Sequence, residues 1–375
     1  MQTGPPRERL RATPFVVAIA VSLLLVLSAP FVGQIRSEIR RAFPGQFVLI
    51  IGGIIAIALL AAIAAAVRRI GDHRVQRFGA VALAILIAAT YAAINAGDNP
   101  ESNVVELFHF LQYGLVAFLF YRGWRPAADI SVILLPLLAG LIVGTVEEWL
   151  QWFIPNRVGE MKDVLLNLVA IATGLLFSMA VDPPPRWHGS IDRPSRRRTV
   201  FMAAATLVMF AAFFQVVHLG YRVDDAETGA FESRWAASEL LDVQSARRGQ
   251  WSAQPPPVKL VRLSREDQYL TEGIQHVRER NRLWQAGNLP GAWFENRILE
   301  KYYEPVLDTP THEGTAGHRW PPAQRADAQA SVASSTGPTY SSSAYPYPIY
   351  TWSRRSFWLA VSIAAGLLLI AGAAA

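Results

Sequence analysis

Eight long apolar stretches constrain this chain more than any other feature. A helix crossing a bilayer core needs about 20 mostly apolar residues. Blocks of that kind run over Pro14–Val32, Phe47–Val67, Gly79–Asn95, Val104–Tyr121, Ile130–Trp152, Asp163–Val181, Val200–Leu219 and Phe357–Ala375. Of the 375 residues, 52% are hydrophobic and only 17% charged, whereas a soluble domain carries roughly 25% charged residues. The chain therefore predicts an all-α, polytopic transmembrane helical bundle of about eight spans, and the same composition excludes disorder and fibrous repeats. There is no cysteine, which removes disulfides, thiolate nucleophiles and Cys-ligated metals. Arg7, Arg9 and Arg11 precede the first block as in a signal peptide. No small-x-small cleavage site follows Pro30 and six spans come directly after, so an uncleaved anchor is expected.

Orientation follows from Lys and Arg in short loops. With the N-terminus inside, the cytoplasmic loops hold Arg7, Arg9, Arg11, Arg68, Arg69, Arg74, Arg77, Arg122, Arg125, Arg186, Arg193, Arg196, Arg197 and Arg198. The opposite loops hold Arg36, Arg40, Arg41, Arg157 and Lys162, with Arg36–Arg41 running against the trend. Both termini are expected in the cytoplasm of a cell-membrane protein, with residues 220–352 outside. The net charge of +6 reads as topogenic loops with some affinity for anionic lipid at Arg193–Arg198, and predicts no nucleic-acid partner. The expected organisation is two N-terminal spans (1–78), a four-helix core (79–181), a basic loop and seventh span (182–219), a mostly helical extracytoplasmic domain (220–320), an irregular Ser/Pro/Tyr-rich tether (321–352) and a last span (353–375). Within the polar domain, helix-like patterning runs over Asp224–Ala246, Leu263–Gln285 and Trp293–Tyr303, with Pro255-Pro256-Pro257 as a break. Arg265–Leu270 and Trp293–Asn296 read as solvated helix surface, and Trp149, Trp152 and Phe153 as an aromatic belt at the membrane interface.

Ionisable groups inside spans cost about 2.5–3.5 kcal/mol at the helix centre, so each needs a reason. Glu106, His109 and Tyr113 share one face of the fourth span. Gly140, Gly144, Glu147 and Gln151 form a stripe on the fifth, with Glu148 at its edge. Asp163, Asn167, Ala170 and Gly174 form a third stripe on the sixth. The start of span four, the end of span five and the start of span six lie at the same membrane face, so the stripes are expected to converge, and the small residues permit close packing.

The run from Glu106 to Gly174 resembles the VanZ-like family of membrane proteins. The resemblance rests on His109 and Tyr113, then Glu148-Trp149-Leu150-Gln151, Pro155-Asn156-Arg157, Asp163, Asn167 and Gly174, and covers about residues 79–181. Val105-Glu106 stands where many relatives carry Asp-Lys, and Ala170 where a glycine is usual. The resemblance implies a bacterial cell-envelope protein related to glycopeptide resistance, in a family named for low-level teicoplanin resistance and without an established reaction.

From the residues themselves, Glu106, His109, Tyr113, Glu148, Gln151, Arg157, Asp163 and Asn167 are the candidate site. One reading is a polar extracytoplasmic pocket that binds or shields a lipid-linked cell-wall precursor or glycolipid headgroup. Arg157 and Lys162 would meet a phosphate or carboxylate there, while the acids and Gln151 would accept from hydroxyls or amides. A second is an interhelical network that fixes the bundle. A third is an intramembrane acid–base enzyme acting on a lipid-linked saccharide or phosphate, although no nucleophile motif and no His-Glu-x-x-His is present. A fourth is a scaffold that recruits partners through the outer domain. Glu106, His109 and Glu148 would offer a metal one nitrogen and two oxygen donors, too little to predict one, and no cofactor is expected. His218 either borders the same pocket or is an ordinary interfacial histidine.

Overall fold

The structure, a computed structural model, describes residues 12–154, 159–185, 187–254, 265–311, 314–333, 340–344 and 348–373. These include eight helices long and apolar enough to cross a membrane, so the protein is an all-α, multi-pass membrane bundle. The eight are α1 (Ala12–Ala42), α2 (Phe47–Arg69), α3 (Arg74–Asn95), α4 (Pro100–Trp124), α5 (Ser131–Trp152), α6 (Met161–Val181), α7 (Arg193–His218) and, after the polar region, α13 (Arg354–Ala373). Large apolar side chains on them stand in the open, Leu49 at 76% and Ile57 at 70% exposure. Faces of that kind need lipid rather than water.

The chain forms two compact units, residues 1–151, 159–213 and 359–375 in the first, 152–158 and 214–358 in the second. In the first unit α4 packs closely on α6. The sequence permits this because Gly114 and Gly174 face each other with no side chain between them: a Cβ added at Gly174 would lie 2.4 Å from the Gly114 Cα. Gly140 faces Ile171, and Gly144 faces Asn167 and Tyr113. Around these contacts Tyr113, Val116, Ala117, Tyr121, Ala170 and Ile171 form a closed core.

Polar groups pin both ends of this bundle. At one end Asn99 caps α4, accepting from the Glu101 amide (3.0 Å), with Pro100 in the first turn, where its missing N–H costs nothing. Glu101 pairs with Arg36 (3.1 Å) and Arg40. The expected loop at Arg36–Arg41 is thus the end of α1, which runs through Pro30 to Ala42. All three arginines that oppose the charge bias meet a carboxylate, Arg36 and Arg40 sharing Glu101 and Arg41 pairing with Glu38 (2.9 Å). At the other end the Arg77 guanidinium donates to the last carbonyls of α6, Ala180 and Val181 (2.7 and 2.8 Å). Arg125 pairs with Asp182 (2.9 Å). Buried Asp129 accepts from the Ser131 amide (2.9 Å) and the Asp192 amide (3.1 Å); burial pushes its carboxyl up, but hydrogen bonds from Ser131, Ser195 and Asp192 outweigh this and hold it below the usual range.

The second unit departs from the sequence reading at both ends. Asp224–Ala246 is not one helix. It begins as an antiparallel hairpin of β1 (Tyr221–Asp225) and β2 (Gly229–Ser233), with Val223 opposite Phe231, and only then becomes α8 (Ala237–Ala253). Gly229 holds a φ of +79°, which a tight turn requires and a helix forbids. The tether is not wholly irregular either, since Pro322–Ala333 is a helix, α12. Between them lie α9 (Arg265–Gln285), α10 (Leu289–Tyr302) and α11 (Glu304–Leu307). The core joins Val223, Phe231, Trp235, Leu240, Tyr269 and Tyr303 with apolar residues of α9 and α10. The proline break at 255–257 lies outside the described residues.

This unit also buries charge. Glu272, 1% exposed, accepts from the Ser233 hydroxyl (2.8 Å), the Arg234 amide (3.0 Å) and the Tyr303 hydroxyl (2.7 Å). Its carboxylate lies 3.8 Å from the Arg234 guanidinium, which covers the Trp152 ring at 4.1 Å. Trp152 is therefore buried under an arginine rather than placed in an aromatic belt. Nor is Trp293–Asn296 a solvated surface: buried Glu295 accepts from His276 Nδ1 (2.7 Å), Tyr340 (2.5 Å) and Ser342. Tyr340 and Ser342 thereby anchor the returning chain beside β2.

Asp225 gives this unit a pH dependence. Desolvation pushes its carboxyl up, but Lys301 (2.8 Å), the Tyr302 hydroxyl (2.7 Å) and the Glu227 amide (2.8 Å) outweigh this and hold it well below the usual range. A depressed carboxyl stabilises the fold fully above its unfolded value of about 4 and loses that contribution as pH falls through the folded value. Thermal unfolding of the second unit should therefore occur at lower temperature once pH drops below about 4. Asp225→Asn should flatten that decline; an equally steep decline in the variant would assign it to other carboxylates.

Candidate functional site

The three predicted stripes meet within the first unit. On α4, His109 Nδ1 lies 2.9 Å from Asn167 Oδ1 on α6. One turn along, the Tyr113 hydroxyl donates to Glu147 on α5. The two rings stack in parallel, 6.1 Å apart, as residues i and i+4 of one helix face must. Gln151 uses its amide to bridge two adjacent acids, donating to Glu147 (3.2 Å) and Glu148 (3.0 Å). The glycines of α5 allow this assembly, since a Cβ on Gly144 would stand 3.1 Å from the Asn167 side chain and 3.4 Å from the Tyr113 ring.

The cluster has a depth gradient. Tyr113, Glu147, Glu148, Gln151 and Asn167 are buried, while His109, Glu106 and Asp163 are half-buried and Lys162 exposed. At this rim Lys162 approaches Glu106 at 3.9 Å. Burial raises the carboxyl of neighbouring Glu160; Lys162 opposes the rise and Glu106 adds to it. Asn167 Nδ2 is a buried donor with no hydrogen-bond partner among the described residues. A buried unpaired amide costs about 1–3 kcal/mol.

The sequence-predicted residues Glu106, His109, Tyr113, Glu148, Gln151 and Asn167 thus lie in one connected region, with half-buried Asp163 opening α6 beside it. Arg157 lies outside the described residues. Glu147 was missing from the candidates although it receives both Tyr113 and Gln151. Its position four residues before Gln151, within the same stripe, was the available signal. His218 does not supply a ligand group here: buried in the second unit, it hydrogen-bonds the Pro348 carbonyl through Nδ1 (2.9 Å) beside Phe214 and Tyr350. Among the described residues no group of three His, Asp or Glu is arranged to hold a metal ion.

Searches against protein-family models, curated proteins and solved structures found no match to this chain.

Proposed function

We propose that this is a VanZ-like protein of the bacterial cell envelope, oriented with both termini in the cytoplasm, that binds or shields the headgroup of a lipid-linked wall precursor or related glycolipid. One observation carries the reading: acids, amides, a phenol and an imidazole from three helices join at one end of the bundle, all buried except the half-buried imidazole. The described part is rich in acceptors. Glu147 and Glu148 suit hydroxyl or amide hydrogens of a saccharide, and the unpaired Asn167 amide suits one of its oxygens. Lys162 at the rim suits the phosphate that links such a saccharide to its lipid, and Arg157 is the second cation that the sequence offers for it.

Binding of a lipid-linked disaccharide to the purified full-length protein should weaken by about tenfold or more in His109→Leu, which removes the hydrogen-bond partner that positions Asn167. Arg157→Ala should weaken it too, with the thermal midpoint unchanged. Unaltered affinity in both variants would overturn the proposal. The Tyr113–Glu147 hydrogen bond beside Glu148 also suits proton transfer. Turnover of that lipid, abolished by Glu148→Gln, would replace the binding reading with the acid–base one.

A further inference from the structure

A cleft lies in the second unit, where the chain leaves and re-enters the apolar helices. It has a volume of about 270 Å³ and is lined by Tyr221, Arg222, Trp352, Ser353 and Arg354 over a floor at Leu219. Local backbone pairing builds it. The Tyr350 amide donates to the His218 carbonyl (2.7 Å) and the Gly220 amide to the Tyr350 carbonyl (3.2 Å), so the end of α7 and the approach to α13 run as a short parallel ladder. Gly220 is required at this crossing, because a Cβ there would meet the Ser233 carbonyl oxygen at 2.4 Å. Trp358 donates to Gln215 one turn into the helices, and Phe357 stacks on Phe214 at 5.9 Å.

Position decides what this cleft meets. Its two sides directly follow one membrane-length helix and precede another, α7 ending at His218 and α13 starting at Arg354. The cleft therefore lies at headgroup depth, where tryptophan, tyrosine and arginine concentrate. Tyr350 is 42% exposed and Trp352 51% exposed beside it, amphipathic rings that pack on Phe214 and Phe357 by one side and stand open on the other. The lining residues include two arginines and no acid. Arg222 also pairs with Asp224 (3.0 Å), an exposed pair of the kind that contributes little.

We infer that this cleft binds the phosphate of an anionic phospholipid from the surrounding bilayer, held between Arg222 and Arg354, with Trp352 and Tyr221 against the glycerol region. Guanidinium forks match phosphate oxygens in pairs. This site is separate from the cluster of α4, α5 and α6 and does not depend on the function proposed for it.

The test uses the full-length protein in detergent, titrated with short-chain phosphatidylglycerol or phosphatidylcholine, with bound lipid counted by native mass spectrometry. Phosphatidylglycerol should bind in preference. The double variant Arg222→Gln/Arg354→Gln should weaken it about thirtyfold, from roughly 1 kcal/mol for each basic group at a membrane surface. The charge-preserving Arg222→Lys/Arg354→Lys should keep most of the affinity. Arg68→Gln/Arg69→Gln, which removes equal charge at the end of α2, should leave this binding intact. Equal losses in the two Gln variants would reduce the effect to net charge and overturn the site. So would equal affinity for the two lipids. Displacement by inorganic phosphate at equal concentration would make the ligand a free anion and overturn the lipid assignment.

Discussion

Glu272→Ala should destabilise the second unit by about 3–5 kcal/mol, the range for removing one partner of a buried charge pair. Glu272 is the acceptor on which three donors converge, and the Arg234 guanidinium beside it is only 6% exposed. Truncation would leave that cation buried against the Trp152 ring without its carboxylate, and the Tyr303 hydroxyl without its acceptor. Burial, reinforced by the Glu272 charge, holds the Tyr303 phenol far above its ordinary value, so it remains a donor throughout the accessible pH range. Denaturant unfolding of the full-length protein, followed by tryptophan fluorescence, would measure the effect. Glu272→Gln keeps an acceptor and should lose less. An alanine variant within 1 kcal/mol of the parent would show that the network is not what holds the hairpin to α9.

Gly174→Ala should cost the bundle about 1–3 kcal/mol or more and also disturb the polar cluster. The added methyl would fall 2.4 Å from the Gly114 Cα and 3.0 Å from its carbonyl oxygen, so α4 and α6 must move apart. His109 and Asn167 sit on those two helices, and their 2.9 Å contact does not survive such a shift. The reciprocal change is the control. A Cβ on Gly114 meets the Gly174 Cα at 3.8 Å, an ordinary contact, so Gly114→Ala should be tolerated. Thermal midpoints and headgroup affinity of the two variants should therefore diverge. Equal behaviour would contradict the close approach of α4 to α6.

The spans and the meeting of the stripes were legible because both rest on simple periodicities. An apolar run near 20 residues has few alternatives, and His109/Tyr113 at i,i+4 lie on one face whatever surrounds them. What was missed depends on partners distant in sequence. The stripe with Gln151 already set Glu147 apart from Glu148, but its partner Tyr113 arrives from another helix. The hairpin was hidden by the charges of Asp224, Asp225, Glu227 and Glu232, which read as helix surface, although Gly229 between the alternating Val223 and Phe231 was a turn signal. In α12 a proline in the first turn followed by Ala, Gln and Arg is a good helix start, and the Ser/Pro/Tyr stretch beyond obscured it. Burial of Glu295 and Trp152 was illegible, since each is hidden by residues far along the chain, Tyr340 and Arg234.

The central claim is that the cluster of α4, α5 and α6 holds a polar lipid headgroup, and extraction from native membranes with mass spectrometry of the copurifying lipids tests it most directly. The parent protein should carry a saccharide- or amide-bearing lipid that is depleted when Asn167→Leu removes both the His109 partner and the unpaired amide. An identical lipid profile for parent and variant, with both proteins folded, would mean that the cluster only ties the helices together.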